Sequence, residues 1–529
     1  MIPYTLLAAA IALTVVTAYI KSTRNKKLSP PTVPGHWLFK NQELYRTAWR
    51  AQVLTENYLP KYGDIFQIST PSKTVVVLSS AGAVSEVLEK QAAVTSDRPR
   101  NVMLSELCGF ESNVGIRNHD EVHKQYRRVM ASALHPAAAR SYAALHSSTA
   151  AFFLRNLVDR INVSPNCDHV TPAPNHCMSL VASIEDCAGR FIMRMTYGHI
   201  VVENDPLVQS VKQQVELVTA ALVGRYWVNY FPMLRYVPAW FPGAKFKRDA
   251  NKFREKRERT ASEPFEAVLK EMSEGKVERP SYTSKLLELK GGINASAEDL
   301  ELVKYTAEPM FNAGATTTSA LVHNFLFTMS IYPEIAARVQ TEIDAQVGRD
   351  RLPNLQDREV LPYTDAVLQE VMRCSPVAPL GLEHCTSEDI EIRGYTIKKG
   401  TTIEANIWAL MHESSSYPDP HTFNPDRFLK QKPDPDPRRF FFGFGRRVCP
   451  GQHVANNGAF TMCAAFMSVF NINAGKETLL EAKSHEKEPW RMFTAYGVYE
   501  PKPFQCTIKP RDQAALAVLE ACRETEAIQ

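Results

Sequence analysis

Of the 529 residues in the chain, 44% are hydrophobic and 22% are charged, which matches ordinary globular proteins and excludes wholesale disorder and the collagen-like and fibrous classes. Lysines and arginines number 61 and acidic residues 57, and this near balance argues against nucleic-acid binding as the main task. The ten cysteines include no CxxC pair, so neither a disulfide scaffold nor a cysteine-built zinc site is indicated.

The N-terminal segment has the character of a membrane anchor. Residues 1–20 contain no charged side chain and provide the ~20 apolar residues that cross a hydrocarbon core of about 30 Å. Lys21, Arg24, Lys26 and Lys27 follow, and this positive charge places the following chain in the cytosol. We predict a retained transmembrane signal-anchor over residues 1–20, because a cleaved signal peptide carries its positive charge before the apolar run.

A basic and proline-rich stretch at residues 21–36 is predicted to be a linker, because its prolines favour a stiff extended path without helix. Residues 37–529 are expected to form one globular domain on the cytosolic side. This placement predicts that the sequon at Asn294, like the one at Asn162, carries no sugar.

Within the globule the sequence predicts a small sheet followed by a mainly helical body. Residues 63–70 and 73–80 are short β-branched segments separated by Pro71 and Ser72, a pattern typical of adjacent strands. Most later segments show helical spacing. Helices are predicted over residues 210–222, 299–331, 333–347, 363–373 and 452–470.

The longest predicted helix is expected to cross the whole globule. Ser296 and Asp299 resemble a capping pair at its start, and its length is near 50 Å at ~1.5 Å per residue. Pro309 lies inside it and is expected to kink it. Pro333 occupies a typical first helical position and predicts a new helix directly afterwards.

An aromatic stretch at residues 225–243 holds seven aromatic side chains, among them Trp227 and Trp240. Two interpretations stay open. The rings pack in the core, or they form a lip that touches a membrane over an apolar entrance, since amphipathic rings favour the headgroup level.

The decapeptide FGFGRRVCPG at residues 442–451 is the most informative segment of the chain. It places Cys449 in a glycine-rich loop just before a predicted helix. Glycines allow the backbone to approach a flat partner closely, while a helix N-terminus and backbone amides stabilise a thiolate. These surroundings indicate a metal-ligating sulfur.

This decapeptide resembles the FxxGxRxCxG haem-binding loop of the cytochrome P-450 family, and three further motifs occur in the family's order. They are Glu370 to Arg373 for its ExxR helix, Phe423 to Phe428 for its arginine motif, and Ala313 to Thr318 for its central helix. The resemblance is nearest to membrane-bound fungal members. The fixed positions of the decapeptide are Phe442, Gly445, Arg447, Cys449 and Gly451.

The resemblance implies the family fold, a mostly helical triangular prism with haem b between its longest helix and the cysteine loop, preceded by one transmembrane helix. It also implies that Glu370, Arg373 and Arg427 form a buried ion-pair network. Removing one member of such a network would cost ~3 to 5 kcal/mol. Cys449 would ligate the haem iron, and its thiolate would favour O–O cleavage.

On the opposite face of the haem the resemblance assigns the oxygen site to the long helix. Ala313 and Gly314 are small enough to admit a diatomic ligand, and Thr317 matches the proton-relay hydroxyl. The alternative is that small residues merely permit close helix packing. Thr316 stands where the family often has an acid, so proton delivery must use water or another side chain.

The haem carboxylates need cationic or hydrogen-bonding partners once buried. The resemblance assigns this role to Arg447, to His123 with Arg127, and to His384. His123 replaces the tryptophan that is common at its position, and a lone histidine is as often a satisfied core residue.

Electrons must come from a separate protein, because the chain has no dinucleotide or flavin fingerprint of the GxGxxG kind. The expected donor is an NADPH–cytochrome reductase, with cytochrome b5 as an optional second donor. Basic residues close in sequence to the cysteine loop, together with two on the candidate helix that carries His123, form either a docking face for that donor or a plain solvated surface. They are Lys124, Arg128, Arg438, Arg439 and Arg446.

The family's pocket positions are nearly all apolar here, so a small lipophilic substrate is expected. The resulting hypothesis is a monooxygenase of the endoplasmic reticulum membrane, in contact with lipid, that hydroxylates or epoxidises such a substrate in fungal secondary metabolism or xenobiotic oxidation. A reductase-independent isomerase or dehydratase and a non-catalytic haem-binding protein remain alternatives. The pocket positions are Phe110, Phe311, Ala313, Thr317, Val377, Leu380 and Val498.

Overall fold

The computed structural model describes residues 28–163, 180–201 and 226–528, together with the single positions 205, 207, 218, 220 and 221. The predicted anchor at residues 1–20 lies outside these residues, as does most of the helix predicted at 210–222. None of the helices in the described ranges combines the length and the apolar character that spanning a bilayer requires.

Helices make up most of the described chain, which confirms the predicted mainly α-helical body with minor strands. A π-helical turn, Leu54–Tyr58, joins the second and third helices. The helices are α1 Gln42–Tyr45, α2 Arg50–Val53, α3 Leu59–Tyr62, α4 Ala81–Val84, α5 Glu121–Leu134, α6 Pro136–Ser141, α7 Ala143–Val163, α8 Leu180–Tyr197, α9 Lys245–Ser273, α10 Tyr282–Leu289, α11 Ala297–Ile331, α12 Pro333–Gln346, α13 Pro362–Cys374, α14 Ile407–Met411, α15 Arg438–Phe441, α16 Gln452–Val469, α17 Lys476–Ser484 and α18 Gln513–Ile528.

The strands form one four-stranded sheet and two hairpin-like pairs. The first sheet has the order β1-β2-β6-β3, with β1 antiparallel to β2 and β6 parallel to β2. The predicted adjacent strands near the start of the globule are therefore confirmed. The strands are β1 Ile65–Ser69, β2 Thr74–Leu78, β3 His384–Cys385, β4 Ile390–Ile392, β5 Tyr395–Ile397, β6 Thr402–Ala405, β7 Phe470–Ala474 and β8 Cys506–Pro510.

Part of the proline-rich stretch belongs to the globule. Leu28 bridges to Tyr395, and Thr32 bridges to Gln67 of β1. The Gln67 amide also donates to the Pro31 carbonyl over 2.8 Å. A proline-rich segment can supply carbonyls to a sheet edge although its prolines donate nothing. The stretch predicted as a linker thus contributes residues to the sheets from Leu28 onward.

The central helix α11 crosses the molecule as predicted. The Ser296 hydroxyl accepts from the Asp299 amide over 3.1 Å, which caps its first turn. Its second half, residues 319–330, is buried throughout, as expected for a mainly apolar helix in the interior of a large protein. The helix continues through Pro309 without a break, and α12 begins at Pro333 directly after it.

The aromatic stretch faces outward in the described residues. Trp240 is 78% exposed, and Trp227, Phe231 and Tyr236 are also exposed, whereas Tyr230 is buried. Core packing therefore does not account for most of these rings. Large exposed apolar patches mark interaction sites.

Candidate haem site

The cysteine loop is shaped by two glycines with positive φ. After α15 the chain turns at Gly443 (φ +82°) and Gly445 (φ +52°), and Cys449 follows three residues before α16 begins. The Cys449 amide donates to the Phe442 carbonyl over 2.7 Å, which closes the loop. A Cβ atom on Gly445 would collide with the Leu88 carbonyl oxygen. Only glycine satisfies both the backbone angle and this contact.

The backbone at Gly451, two residues after Cys449, has free space beside it. A Cβ atom added to Gly451 would meet no other atom within 4 Å, and its φ of −87° suits any residue. Local packing therefore does not explain the glycine at this position. The half-buried Phe442 ring meets Phe441 edge to face, with centroids 4.9 Å apart. Gly451 therefore keeps free space close in sequence to Cys449, as the approach of a flat group requires.

The Cys449 thiol experiences opposing influences. Burial raises its pKa, and this effect outweighs the lowering by a backbone hydrogen bond involving Gly451 and by the charge of Arg127. Arg127 lies on α5, more than 300 positions away in sequence. A cation and an amide beside a sulfur are the surroundings that stabilise a thiolate. The fold therefore places the Cys449 sulfur next to Arg127, one of the residues that the resemblance assigned to the haem.

Three arginines gather on this side of the molecule. Burial, with a smaller contribution from Arg127, lowers the pKa of Arg447 to about 10, although the charges of Asp97 and Asp120 raise it. Burial likewise lowers the pKa of Arg98 to about 9, with an added contribution from Arg447. Arg447 donates to the Ser96 carbonyl over 2.6 Å and to two further main-chain carbonyls, so its position is determined by the loops around it. Like charges held together in a buried place favour an anionic partner.

Two histidines border the same cluster. Burial, with Arg447 and other cations, lowers the pKa of His123 to about 3, and its buried Nδ1 has no partner in the described chain. Burial, with Arg98, lowers the pKa of His384 to about 3. The His384 Nδ1 is bonded to the Thr95 carbonyl over 2.9 Å, which leaves Nε2 for another contact. Both rings are therefore neutral hydrogen-bonding groups.

These donors fit the haem group that the sequence resemblance implies. A buried cluster of cations and imidazoles suits two carboxylates, since charge-assisted hydrogen bonds are the strong ones. The orphaned His123 nitrogen and the open side of Gly451 support the same fit. The cluster and the Cys449 sulfur are linked through Arg127.

The α11 helix presents an open patch in its otherwise buried course. Ala313 and Thr317 are exposed, although Phe311 and Ala315 beside them are buried. Residues four apart lie on one helix face, so Ala313 and Thr317 look into one space. The Thr317 hydroxyl donates to the Ala313 carbonyl over 2.8 Å. Thr316 is half-buried on a neighbouring face.

Gly314 serves helix packing. A Cβ atom there would lie 2.8 Å from Cδ1 of Ile192 on α8. Small residues permit this close approach of two helices. The contact accounts for the glycine without reference to an oxygen ligand, so the structure favours the packing interpretation for this position.

The ExxR residues form a buried network. Arg373 donates to Glu370 through Nε over 2.7 Å and through Nη2 over 2.8 Å. Arg427 donates to the same carboxylate over 3.0 Å and to Asp434 over 2.9 Å. Glu370, Arg373 and Arg427 are at most 2% exposed. Main-chain carbonyls of the segment before Arg427 accept the remaining bonds.

The predicted pocket residues fall into separate groups. Val377, Leu380 and Val498 pack in one cluster, and the Tyr499 amide donates to the Val377 carbonyl over 2.8 Å. Phe311 belongs to a second cluster around α8 and α11. Phe110 belongs to a third, with residues of α9 and of the aromatic stretch.

Sequence reasoning missed Arg98 and Asp434. Arg98 is a single arginine in a loop and has no spacing signature. Asp434 lies in the PDPDP run and looks like an ordinary turn residue. Their partners, Arg447 and Arg427, are brought to them only by folding. No sequence signal distinguishes such positions from surface residues.

Comparison with known proteins agrees with this site. The family model for cytochrome P-450 matches residues 30–492, which is most of the chain. The chain therefore belongs to the cytochrome P-450 family. It is an oxidoreductase of the monooxygenase class, and membership implies haem iron as its cofactor.

Three fungal relatives illustrate the similarity. Cytochrome P-450 monooxygenase 208 of Postia placenta is 34% identical over 88% of this chain and 87% of its own length. The cytochrome P-450 monooxygenase claR of Ampulloclitocybe clavipes is 32% identical over 86% and 81%. The cytochrome P-450 monooxygenase COX2 of Coprinopsis cinerea is 31% identical over 98% and 96%. The similarity thus extends over nearly the full length of each pair.

Proposed function

We propose that the protein is a haem-thiolate monooxygenase that hydroxylates or epoxidises a small lipophilic substrate with O2 and electrons from NADPH. The observation that carries the proposal is the closed loop around Cys449, whose amide donates to the Phe442 carbonyl, with Arg447 of the same loop held by three main-chain carbonyls. When bound, haem supplies oxygen activation, which a thiolate ligand promotes.

Different residues would bind the iron and the carboxylates of the haem. Cys449 holds the metal, and Arg98, Arg127, Arg447, His123 and His384 bind the carboxylates of the cofactor. Gly451 keeps free space for a flat group.

On the other side, the long helix handles protons and substrate. The Thr317 hydroxyl relays protons, accepting one from water at Oγ1 as it donates its own, since Thr316 has no acidic proton to give at neutral pH. Val377, Leu380 and Val498 provide an apolar wall that excludes water. A pocket with these walls suits a compound of fungal secondary metabolism or a lipophilic xenobiotic.

The electron donor is a separate flavoprotein reductase. Lys124, Arg128, Arg439 and Arg446 are exposed near the cysteine loop and suit an acidic docking partner. Arg438 does not belong to this face, because it is bound to Asp365 and Asp436 and is only 26% exposed.

Membrane attachment is part of the proposal. The apolar segment at residues 1–20 would anchor the chain in the endoplasmic reticulum membrane, with the globule in the cytosol. The exposed aromatic rings of Trp227 and Trp240 support lipid contact. Asn294 is exposed in the described chain, so glycosidase treatment tests the topology. We expect no change in electrophoretic mobility after the treatment. Removal of a sugar from Asn294 would show that the globule lies on the opposite side of the membrane.

The direct test of the function is a carbon monoxide difference spectrum of the reduced holoprotein. We expect the red-shifted band of thiolate-ligated haem, and we expect Cys449→Ala to lose it. Cys522→Ala is the matched control, since Cys522 is also half-buried but lies on α18. Imidazole-type ligation in the wild type would refute the proposal.

A second measurement separates turnover from the isomerase or dehydratase alternative that Thr316 raises. NADPH oxidation is followed with a fungal reductase and a series of lipophilic compounds. We expect reductase-dependent oxidation that a substrate stimulates. Product formation without reductase or NADPH would favour the alternative.

A further inference from the structure

A buried ion pair joins α9 to the central helix α11. The Arg257 Nε lies 3.2 Å from Oε1 of Glu308, and its Nη2 lies 3.3 Å from Oε2. The two side chains are 4% and 1% exposed. Replacing a buried ion pair by apolar residues is often neutral or stabilising, so stability alone is a weak reason for its presence. The other partners of the guanidinium are therefore informative.

Arg257 also holds the chain on both sides of Phe110. It donates to the Gly109 carbonyl through Nη1 and to the Ser112 hydroxyl through Nη2 over 2.9 Å. The Arg257 Cζ atom lies over the Phe110 ring, 4.7 Å from its centroid. A planar guanidinium presents its donors in a rigid fork. One side chain thus determines both the backbone and the ring position at Phe110.

A second arginine, one turn earlier on α9, supports the same segment. Arg254 donates to the Glu106 and Leu107 carbonyls, the latter over 3.1 Å. Gly109 has φ +80°, and a Cβ atom there would lie 3.4 Å from the Arg254 Nε. Glycine at this position therefore allows the loop to approach both arginines.

The segment has little regular structure of its own. Val102–Leu107 is a π-helical turn and Phe110–Ser112 a short 3-10 turn. Such elements are short and rare, and they are frequent at functional sites. Their position depends on side chains from other parts of the fold, of which Arg254 and Arg257 bind the most carbonyls in the described chain around Phe110.

The other end of the ion pair reaches the open patch of α11. The Asn312 amide donates to Oε1 of Glu308 over 2.7 Å, and Asn312 directly precedes Ala313. The contacts therefore run from Phe110 through Arg257 and Glu308 to Asn312, the residue directly before Ala313 on α11.

We propose that Arg257 and Glu308 form a positioning pair that determines substrate specificity by fixing Phe110 against the pocket. The inference rests on the proposed function, with Phe110 lining the substrate pocket as the resemblance implies. With the pair intact, the wall is rigid and bulky lipophilic ligands are disfavoured. Without it, the segment Val102–Ser112 moves away and the protein loses its discrimination by size.

The test compares a small and a large nitrogen ligand of haem, 1-phenylimidazole and clotrimazole, by optical titration of the holoprotein without turnover. For Arg257→Gln and Glu308→Gln we expect the ratio of the two dissociation constants to shift about tenfold towards the large ligand, the equivalent of about 1.4 kcal/mol. Lys245→Gln is the matched control, because Lys245 forms an exposed i,i+4 pair with Asp249 on the same helix. It should leave the ratio unchanged.

The exchanged double variant Arg257→Glu with Glu308→Arg distinguishes positioning from mere stability. It restores a charge pair, but glutamate cannot donate to the Gly109 carbonyl. We therefore expect the altered ratio to persist in it. A wild-type ratio in the exchanged variant, or in Arg257→Gln, would overturn the proposal.

Arg257→Lys covers the case in which the stronger variants do not fold. It retains the charge and loses the fork, so the ratio should shift in the same direction by a smaller factor. Hydrogen exchange of residues 102–112 gives a readout that does not depend on haem loading. Relative to the wild type, we expect faster exchange at residues 102–112 in Arg257→Lys and unchanged exchange at residues 438–451. The proposal would be overturned if the variant changed the exchange rate by the same amount in both segments. If the wild type bound neither azole, the proposed function would fail, and the exchange result would still decide the role of Arg257.

Discussion

The two sides of the haem site are built in different ways. The thiolate side is the loop at residues 438–451 with the Glu370 network behind it, and its shape follows from glycines and from bonds between neighbouring motifs. The oxygen side consists of α11 and the segment Val102–Ser112, and its shape follows from side chains that arrive from α8 and α9. The first side is therefore rigid through local chemistry, and the second is adjustable through distant contacts.

Breaking the Glu370 network should produce the largest effect on stability. Glu370→Gln removes a charge that compensates two buried guanidinium groups, and we expect a loss of ~3 to 5 kcal/mol in the free energy of unfolding. Urea unfolding measures it. Arg491 and Glu488 form an i,i+3 pair with the same spacing and the same 2.7 Å distance as Arg373 and Glu370, but exposed. Glu488→Gln should change the stability little, because solvent screens an exposed pair. Equal losses in the two variants would contradict the buried role.

The oxygen side should respond to crowding at Gly314. Gly314→Ala forces a methyl group against Ile192, and we expect a loss of ~1 to 3 kcal/mol from overpacking. Thermal unfolding measures it. Ile192→Val removes the Cδ1 atom that the new methyl would meet. The double variant should therefore recover part of the loss, and strict additivity of the two changes would argue against this contact.

Acid should weaken the contact between the two sides through His146. His146 is buried, its ring stacks on Phe191 of α8 at 4.1 Å, and it touches Gly458 of α16. Burial lowers its pKa from 6.5 to about 3. The folded state prefers the neutral His146 ring. Its contribution to the free energy of unfolding is therefore complete above pH 6.5 and is lost as the pH falls towards 3. At pH 5 the loss is about 2 kcal/mol.

The measurement compares urea midpoints of the wild type and His146→Leu at pH 7 and pH 5. The variant lacks the titrating group, so its stability should fall less between the two values. Parallel losses in both proteins would show that His146 does not titrate in this range.

The thiolate loop offers a direct contrast between two glycines. Gly445→Ala should cost ~1 to 2 kcal/mol from its left-handed backbone alone, with the Leu88 contact in addition. Gly451→Ala should leave the stability of the haem-free protein unchanged and lower haem uptake. Unfolding of the haem-free protein measures the effect on stability, and haem titration measures the effect on haem uptake. Normal haem uptake by Gly451→Ala would show that haem binding does not need the free space beside Gly451.

Local signals were enough for much of the molecule. The Ser296 cap, the helix start at Pro333 and the adjacent strands β1 and β2 follow from spacing and turn residues, and the structure has each of them. The ends of α13 and α16 differ from the predicted ends by one residue. Their apolar periodicity is strong, and such elements keep in the fold the form that their sequence prefers.

Other features depended on contacts that no local pattern contains. Leu28 pairs with a strand residue more than 360 positions later, so the end of the proline-rich stretch could not be read from composition. The resemblance assigned the small size of Gly314 to an oxygen ligand, whereas in the structure the glycine allows the close approach of Ile192. Arg98 carries no motif and joins the cation cluster through its place in space.

The amino-acid sequence by itself determined the class of the protein, because Cys449 and its glycines must be adjacent in the chain to form a ligand loop. It also determined the ends of α11, α12, α13 and α16 to within two residues through their periodicity. Tertiary structure alone decided which cations gather around the site, how Arg257 reaches Phe110 and which small residues serve packing. The reason is physical: backbone geometry acts over a few residues, whereas burial and charge act between any groups that the fold brings together.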